Sequence, residues 1–216
     1  MIIHERLKLL GALIVFAEDG LFFEHYGLRW RTIYKVFLYN LHHSKKIGGS
    51  TITQQLARTL YLSAEKSYWR KIKEAVLALW LEQKYTKEEL LALYINKVNY
   101  GKGCIGIKQA ACFYYHKTLQ ELELLEIVTL VAILPNPERN NPADFPEDAL
   151  RARKKLLYRL YKGGWLTGWE AYQLLLQSEN AAVAAAEFTQ RLIAGFTKAE
   201  ASRTGMIPEI KVDMDF

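Results

Sequence analysis

Two carboxylates in this chain of 216 residues stand where a carboxylate can do chemistry. Glu18 follows the apolar run Val15-Phe16-Ala17 and precedes Asp19. A carboxyl group partly withdrawn from water keeps its proton to higher pH, which suits a general base working near neutrality. Glu74 lies four residues after Arg70 and three after Lys71, so on a helix it shares a face with both cations. Such a clamp fits beside an anionic substrate. Between the two acids, Gly48-Gly49 leads into Ser50-Thr51-Ile52-Thr53-Gln54. Glycines ahead of a helix start leave backbone N–H groups open to an anion, and the helix dipole adds to the attraction. Ser50, Thr51 and Gln54 can add side-chain donors, with Arg58 one turn beyond. This is not a Walker loop, because no Lys-Ser/Thr follows the second glycine. Taken singly, each cluster also has an ordinary reading: acids at a helix end, a tight capped turn, or a surface pair contributing about 0.2–0.5 kcal/mol.

The elements that must hold these groups are helices. A capping box needs Ser or Thr followed three residues later by Glu or Gln, each side chain bonding an orphan backbone N–H. That spacing occurs at Thr51/Gln54, Thr86/Glu89, Thr118/Glu121 and Thr167/Glu170. Ile52, Leu56 and Leu60 repeat at helical period after the first, and Ile72, Val76, Leu79 and Gln83 trace one stripe of the next helix. Leu119 to Leu134 is apolar on nearly every side and reads as a buried central helix. Glycines between Asn96 and Gly106 break the pattern, and Pro146 suits the first turn of a helix running to Gly163. Alternating strand patterns are nearly absent. The fold class is all-α, with at most a minor strand.

The net charge of +6 favours an anionic partner, whether nucleic acid, an acidic membrane surface or a phosphorylated substrate. No recognition motif supports nucleic acid. Cys104 and Cys112 make neither a disulfide framework nor a zinc spacing and read as two small core hydrophobes. No apolar run reaches the roughly 20 residues that spanning a bilayer takes. Glu5, Glu18 and Asp19 bracket the first apolar stretch, so it does not read as a signal peptide. Leu28 to Gly48 is aromatic and basic, fit for a membrane surface or for an ordinary amphipathic helix and loop. The tail from Ala181 carries no identifiable chemistry.

In order, the chain reads Glu-Asp-x-x-Phe-x-x-His-x-Gly from Glu18, Gly-Gly-Ser-Thr-Ile-Thr-Gln-Gln-Leu from Gly48, Arg-Lys-x-x-Glu from Arg70, and Leu-Tyr-Ile-Asn-x-x-x-Tyr-Gly from Leu93. Gly106-Ile107-x-x-Ala110-Ala111 and Ala132-Ile133-Leu134-Pro135-Asn136-Pro137 follow. This series resembles the peptidoglycan glycosyltransferase family, which includes monofunctional transglycosylases and the N-terminal domain of bifunctional penicillin-binding proteins. The resemblance runs from about Leu7 to Thr167.

It implies a lysozyme-like helical fold with a large lobe and a smaller membrane-contacting jaw at about residues 28–48. Residues 1–170 form the glycosyltransferase domain in this reading, and 171–216 a helical or partly flexible extension. The implied reaction polymerises lipid II onto a lipid-linked glycan. Glu18 takes the proton from the acceptor 4-hydroxyl, which attacks the donor's anomeric carbon with inversion and expels undecaprenyl pyrophosphate. The resemblance puts Ser50, Thr51, Gln54, Arg58, Arg70 and Lys71 on the donor and pyrophosphate, and Glu74 as the second essential glutamate. It leaves room for a divalent cation such as Mg2+ near Glu74. Asp19 is taken with the substrate-binding set, as a neighbour that orients the base, while Phe22, His25, Asn96 and Tyr100 fall to the scaffold. Implied partners are lipid II, the growing glycan, the outer face of the bacterial cytoplasmic membrane and other cell-wall synthesis proteins. The anchor would then lie outside this chain.

Two departures stand out. Arg29 occupies a position where the family usually has Asp, a charge swap near the cleft mouth expected either to weaken an ion pair or to alter substrate handling. Arg58-Thr59 replaces the usual Lys-Asn, which keeps the cation but changes a point charge for a planar fork. A lysozyme-like hydrolase also uses two carboxylates in a helical cleft, yet it has no pyrophosphate to hold. A catalytically silent scaffold is the other rival, opposed by the retention of both glutamates.

Overall fold

The computed structural model describes residues 2–43, 49–62, 67–176 and 188–195, and these are helical with a single isolated antiparallel bridge, Asn99 to Ile105. The helices are α1 (Ile2–Glu18), α2 (Trp30–His42), α3 (Ile52–Tyr61), α4 (Tyr68–Lys84), α5 (Lys87–Lys97), α6 (Gly106–Tyr115), α7 (Leu124–Ile133), α8 (Pro137–Asn140), α9 (Pro146–Lys162) and α10 (Gly168–Leu176), with a further helix at 188–195. The all-α expectation holds for these residues.

The core forms where α7 packs on α1 and α9, and where α5 joins α1, α3, α4 and α6. Leu10, Leu13 and Ile14 of α1 are fully buried against Ile127, Val128 and Leu130 of α7, within one continuous cluster. Burial of each such side chain contributes roughly 1.5–3 kcal/mol, so α1 is held along most of its length. Its last residue, Glu18, is thereby delivered on a rigid rod to the edge of the core. Asp19 leaves the helix, and the short 3-10 turn Phe22–Glu24 follows, with Phe22 and Phe23 packed edge to face at 5.2 Å between ring centres. A buried network then ties this turn to three helices. Lys87 Nζ lies 2.5 Å from Glu82 and 4.3 Å from the centre of the Phe22 ring, and Thr53 donates to Glu82 at 2.6 Å.

The capping boxes at Thr51/Gln54 and Thr86/Glu89 start α3 and α5 as expected, and Thr167/Glu170 exchange the corresponding bonds at α10. Thr118/Glu121 is different. These residues close a turn, and α7 begins at Leu124 behind a box formed by Glu123 and Glu126, so the expected helix from Leu119 is shorter. The stripe Ile72, Val76, Leu79 and Gln83 on α4 faces solvent, whereas Glu74, Ala78 and Leu81 on the opposite side of the helix face the interior. Cys104 is buried, but Cys112 is exposed on α6, which corrects its reading as a core residue.

Helix α2 stands apart from the packed helices. Thr32 and Val36 lie against Gly49, where a Cβ would come within 2.9 Å of the Val36 side chain and push it aside. Trp30, Tyr34, Leu38 and Leu41 repeat along the other face and are exposed. Lys45 and Lys46, at the end of the expected jaw, lie outside the described residues. The boundary expected at residue 170 falls inside α10, and the helix at 188–195 joins the same core through Phe188 and Leu192. Arg191 reaches back to the buried carboxylate of Glu170 at 2.5 and 2.6 Å.

Candidate active site

Helix α3 and the turn that leads into it are the spine of the site, because side chains from both acidic clusters meet them. At its second turn, Gln55 donates its amide N–H to Glu18 Oε2 at 2.9 Å and accepts from the hydroxyl of Tyr94 at 3.0 Å. Glu18 is partly buried, and that loss of water raises its carboxyl pKa above the usual glutamate value. The Gln55 hydrogen bond and the charges of Arg159 and Arg58 oppose the rise, while the charge of Asp19 adds to it. Glu18 therefore carries a carboxylate whose hydrogen-bond partner is neutral and whose proton affinity is lifted, the condition for a base rather than for an ion-pair anchor.

Asp19 points the other way. It is buried, and its Oδ2 accepts from His25 Nε2 at 2.9 Å and from the backbone N–H of Ile52 at 3.1 Å. Its Oδ1 lies 3.4 Å from Arg29 Nη1. Arg29 thus makes an ion pair with Asp19 inside the loop. With these partners, Asp19 ties the end of α1, next to Glu18, to the start of α3. Gly27 completes this junction. Its φ of +78° and its approach to the backbone of Ala78, within 3.0 Å of where a Cβ would sit, exclude other residues without a shift.

At the start of α3, Thr51 and Gln54 are consumed by structure. Thr51 Oγ1 accepts from the Gln54 N–H at 3.1 Å and donates to the carbonyl of Gly27 at 2.6 Å. The Gln54 carbonyl oxygen accepts from the Thr51 N–H at 3.0 Å. Both side chains are buried, and these bonds build the turn. Ser50, just ahead of the cap, is partly exposed and accepts from Lys71 Nζ at 2.7 Å.

Lys71 opens the second acidic cluster. Its ammonium also donates to Glu74 Oε2 at 2.6 Å, and Arg70 Nε lies 3.2 Å from Glu74 Oε1. Glu74 itself is buried, while about half of the Lys71 side chain stays in solvent. A buried carboxylate held between two cations keeps both of them at one place. Among the described residues no three His, Cys, Asp or Glu side chains converge on one point. Since both Glu74 oxygens already face cations, the residues present do not form a ready set of ligands for the expected Mg2+. Arg58 is exposed on the last turn of α3, close enough for its charge to act on Glu18.

Several residues at the site carry no sequence signal of their role. Gln55 lies within the Gly-Gly-Ser motif, yet only the fold shows that it holds Glu18. Tyr94 supports Gln55 from α5, and its own pKa is pushed well above the usual value by burial. Arg159 reaches from α9 to donate to the carbonyls of Ala17 at 3.1 Å and Phe16 at 3.4 Å, with its guanidinium over the Phe16 ring. It caps the C-terminal end of α1, where a cation is favoured by the helix dipole.

Among the described residues, no helix is long and apolar enough to cross a membrane. A family model for transglycosylases matches residues 4–161. Penicillin-binding protein 1A of Aquifex aeolicus is 38% identical over 154 residues, covering 71% of this chain and 21% of that protein. Penicillin-binding protein 1A of Escherichia coli is 38% identical over 167 residues, covering 76% of this chain and 19% of that protein. The chain thus spans about a fifth of the length of these two relatives. A protein of Cupriavidus necator named as a transglycosylase is 36% identical over 170 residues, covering 79% of this chain and 73% of that protein. With matches of this extent across α1 to α9, the chain belongs to the transglycosylase family.

Proposed function

We propose that this protein is a peptidoglycan glycosyltransferase that polymerises lipid II into β-1,4-linked glycan strands with release of undecaprenyl pyrophosphate. The observation that carries the reading is the contrast between two acids, one ending α1 and one inside α4: Glu18 held by a neutral amide, Glu74 clamped by cations. The first is suited to take a proton and the second to organise charge at a leaving group.

In this mechanism Glu18 removes the proton from the acceptor hydroxyl as that oxygen attacks the donor's anomeric carbon. The carbon inverts, and the bond to the lipid pyrophosphate breaks. Lys71 and Arg70, fixed by Glu74, meet the negative charge that develops on the pyrophosphate. Ser50 adds a hydroxyl and Arg58 a further cation. Thr51 and Gln54 serve by shaping the turn that presents Ser50, and Asp19 by fixing the end of α1.

The lipid tails of both substrates require a membrane surface. The exposed stripe Trp30, Tyr34, Leu38 and Leu41 on α2 suits the headgroup boundary, with the exposed Trp69, Ile72 and Val76 of α4 as a second apolar face. The site of action is the outer face of the bacterial cytoplasmic membrane, alongside other cell-wall synthesis proteins.

The test is incubation of the purified chain with labelled lipid II in detergent and separation of the products by length. A ladder of longer strands supports the transferase. Shortening of an added glycan, with no ladder, supports the hydrolase instead.

A further inference from the structure

Beside Glu18, on the side of α1 that faces α9, lies a cavity of about 290 Å³. Glu18 forms part of one wall. Three cations of α9, Arg151, Lys155 and Arg159, line another, and they fall at intervals of four residues and so on a single stripe of the helix. Val131, Ala132 and Pro135 give the cavity an apolar floor.

The three cations are not equivalent. Arg151 forms a close ion pair with Asp148, which also lines the cavity. Arg159 is held by the carbonyls of Phe16 and Ala17. The described residues give Lys155 no carboxylate partner, and it is exposed. Among the described residues Lys155 is therefore the exposed cation of this cavity held by neither a carboxylate nor a carbonyl, next to hydrocarbon and in the same cavity as Glu18. The pyrophosphate, in the mechanism above, is already served by Arg70 and Lys71, which belong to α4 and close on Glu74 and Ser50. A second anion of single charge, attached to a partly apolar arm, is what the α9 side can accept.

We infer that this cavity is a subsite for a carboxylate-bearing substituent on the sugar that lies at Glu18, with Lys155 as the residue that reads its charge. The inference rests on the transferase reading and deepens it by giving the substrate an anionic arm that strengthens its binding. Neutral saccharides of the same size then bind less well, because they leave Lys155 without a counter-charge. Arg151, paired with Asp148, and Arg159, tied to α1, hold the walls.

The experiment compares two forms of fluorescently labelled lipid II, one with free peptide carboxylates and one with those carboxylates amidated. Dissociation constants are measured for the full chain and for Lys155→Gln, a surface substitution that removes the charge and little else. The free form should bind the parent about three- to fivefold more tightly than the amidated form, as for a solvent-exposed ion pair. Lys155→Gln should bind both forms alike, at the affinity the parent shows for the amidated one. A variant that keeps the parent's preference overturns the role of Lys155. Equal binding of both forms by the parent overturns the subsite and leaves the transferase reading standing. Failure of the folded parent to bind either form overturns both.

Discussion

The two glutamates of the candidate site, Glu18 at the end of α1 and Glu74 inside α4, are handled in opposite ways. Glu18 ends a buried helix, meets a neutral amide, and has its pKa raised by burial. Glu74 is more deeply buried, yet it lies inside a helix between a guanidinium and an ammonium. Burial alone therefore does not decide what a carboxylate does. The partner decides: an amide leaves the negative charge available to a proton, and a cation pair commits it to holding other charges in place. The difference also predicts opposite costs. The environment of Glu18 disfavours its ionised form, whereas the clamp around Glu74 depends on the ionised form.

The comparison can be broken most severely at Glu74. Glu74→Ala frees Arg70 and Lys71 from their common anchor, and turnover of lipid II should fall by about 10²–10³-fold, the usual loss when a fixed charge-stabilising group is removed. Its melting temperature should drop as well, since two cations lose their counter-charge. A variant with parental turnover would remove Glu74 from the leaving-group side.

The pH dependence sharpens the comparison at Glu18. A base works ionised, so kcat/KM should fall as pH drops through the raised pKa of Glu18, above the range of an exposed glutamate. Arg159→Gln removes a positive charge that lowers this pKa and should move the acid limb to still higher pH. Arg58, Asp19 and the Gln55 amide also face Glu18 and remain in both proteins. An unchanged limb in the variant would assign Arg159 to capping α1 and nothing more.

Stability gives a subtler contrast of sign. A glutamate whose folded pKa is raised supports folding most fully below its unfolded pKa, and that support is lost as pH rises through the folded value. Glu18→Gln should therefore raise the melting temperature at neutral pH, with the gain vanishing in acid. Thermal unfolding at the two pH values checks this, and a neutral-pH loss would contradict the desolvation argument. Smallest of all is Arg29→Gln. Asp19 keeps its bonds from His25 and the Ile52 N–H, so the loss should be about 1 kcal/mol in denaturant unfolding.

What was legible in the sequence follows from the range of each interaction. The cap at Thr51 and Gln54 needs only three residues and their own backbone, so it reads directly from spacing. The clamp of Arg70, Lys71 and Glu74 is likewise one turn of helix. Periodicity on α4 showed which residues share a face but could not say which face turns inward, and the apolar stripe at Ile72 and Val76 turned out to be exposed. Arg29 was read by its charge alone, and only the fold supplies its partner Asp19. Arg159 was out of reach entirely, because its hydrogen bond to Phe16 spans 143 positions of sequence. Thr51 and Gln54 show the converse: the motif gave their position, while their burial makes them scaffold.

The central claim is that Glu18 is the base and acts after binding, and the most direct measurement pairs turnover with affinity in Glu18→Gln. The substitution keeps the side-chain shape and an oxygen for Gln55 but removes the proton acceptor. Polymerisation of lipid II should fall by about 10²–10⁴-fold, the usual worth of a general base, while the dissociation constant for lipid II stays within about twofold of the parent. Strand synthesis at the parental rate by Glu18→Gln would contradict the account.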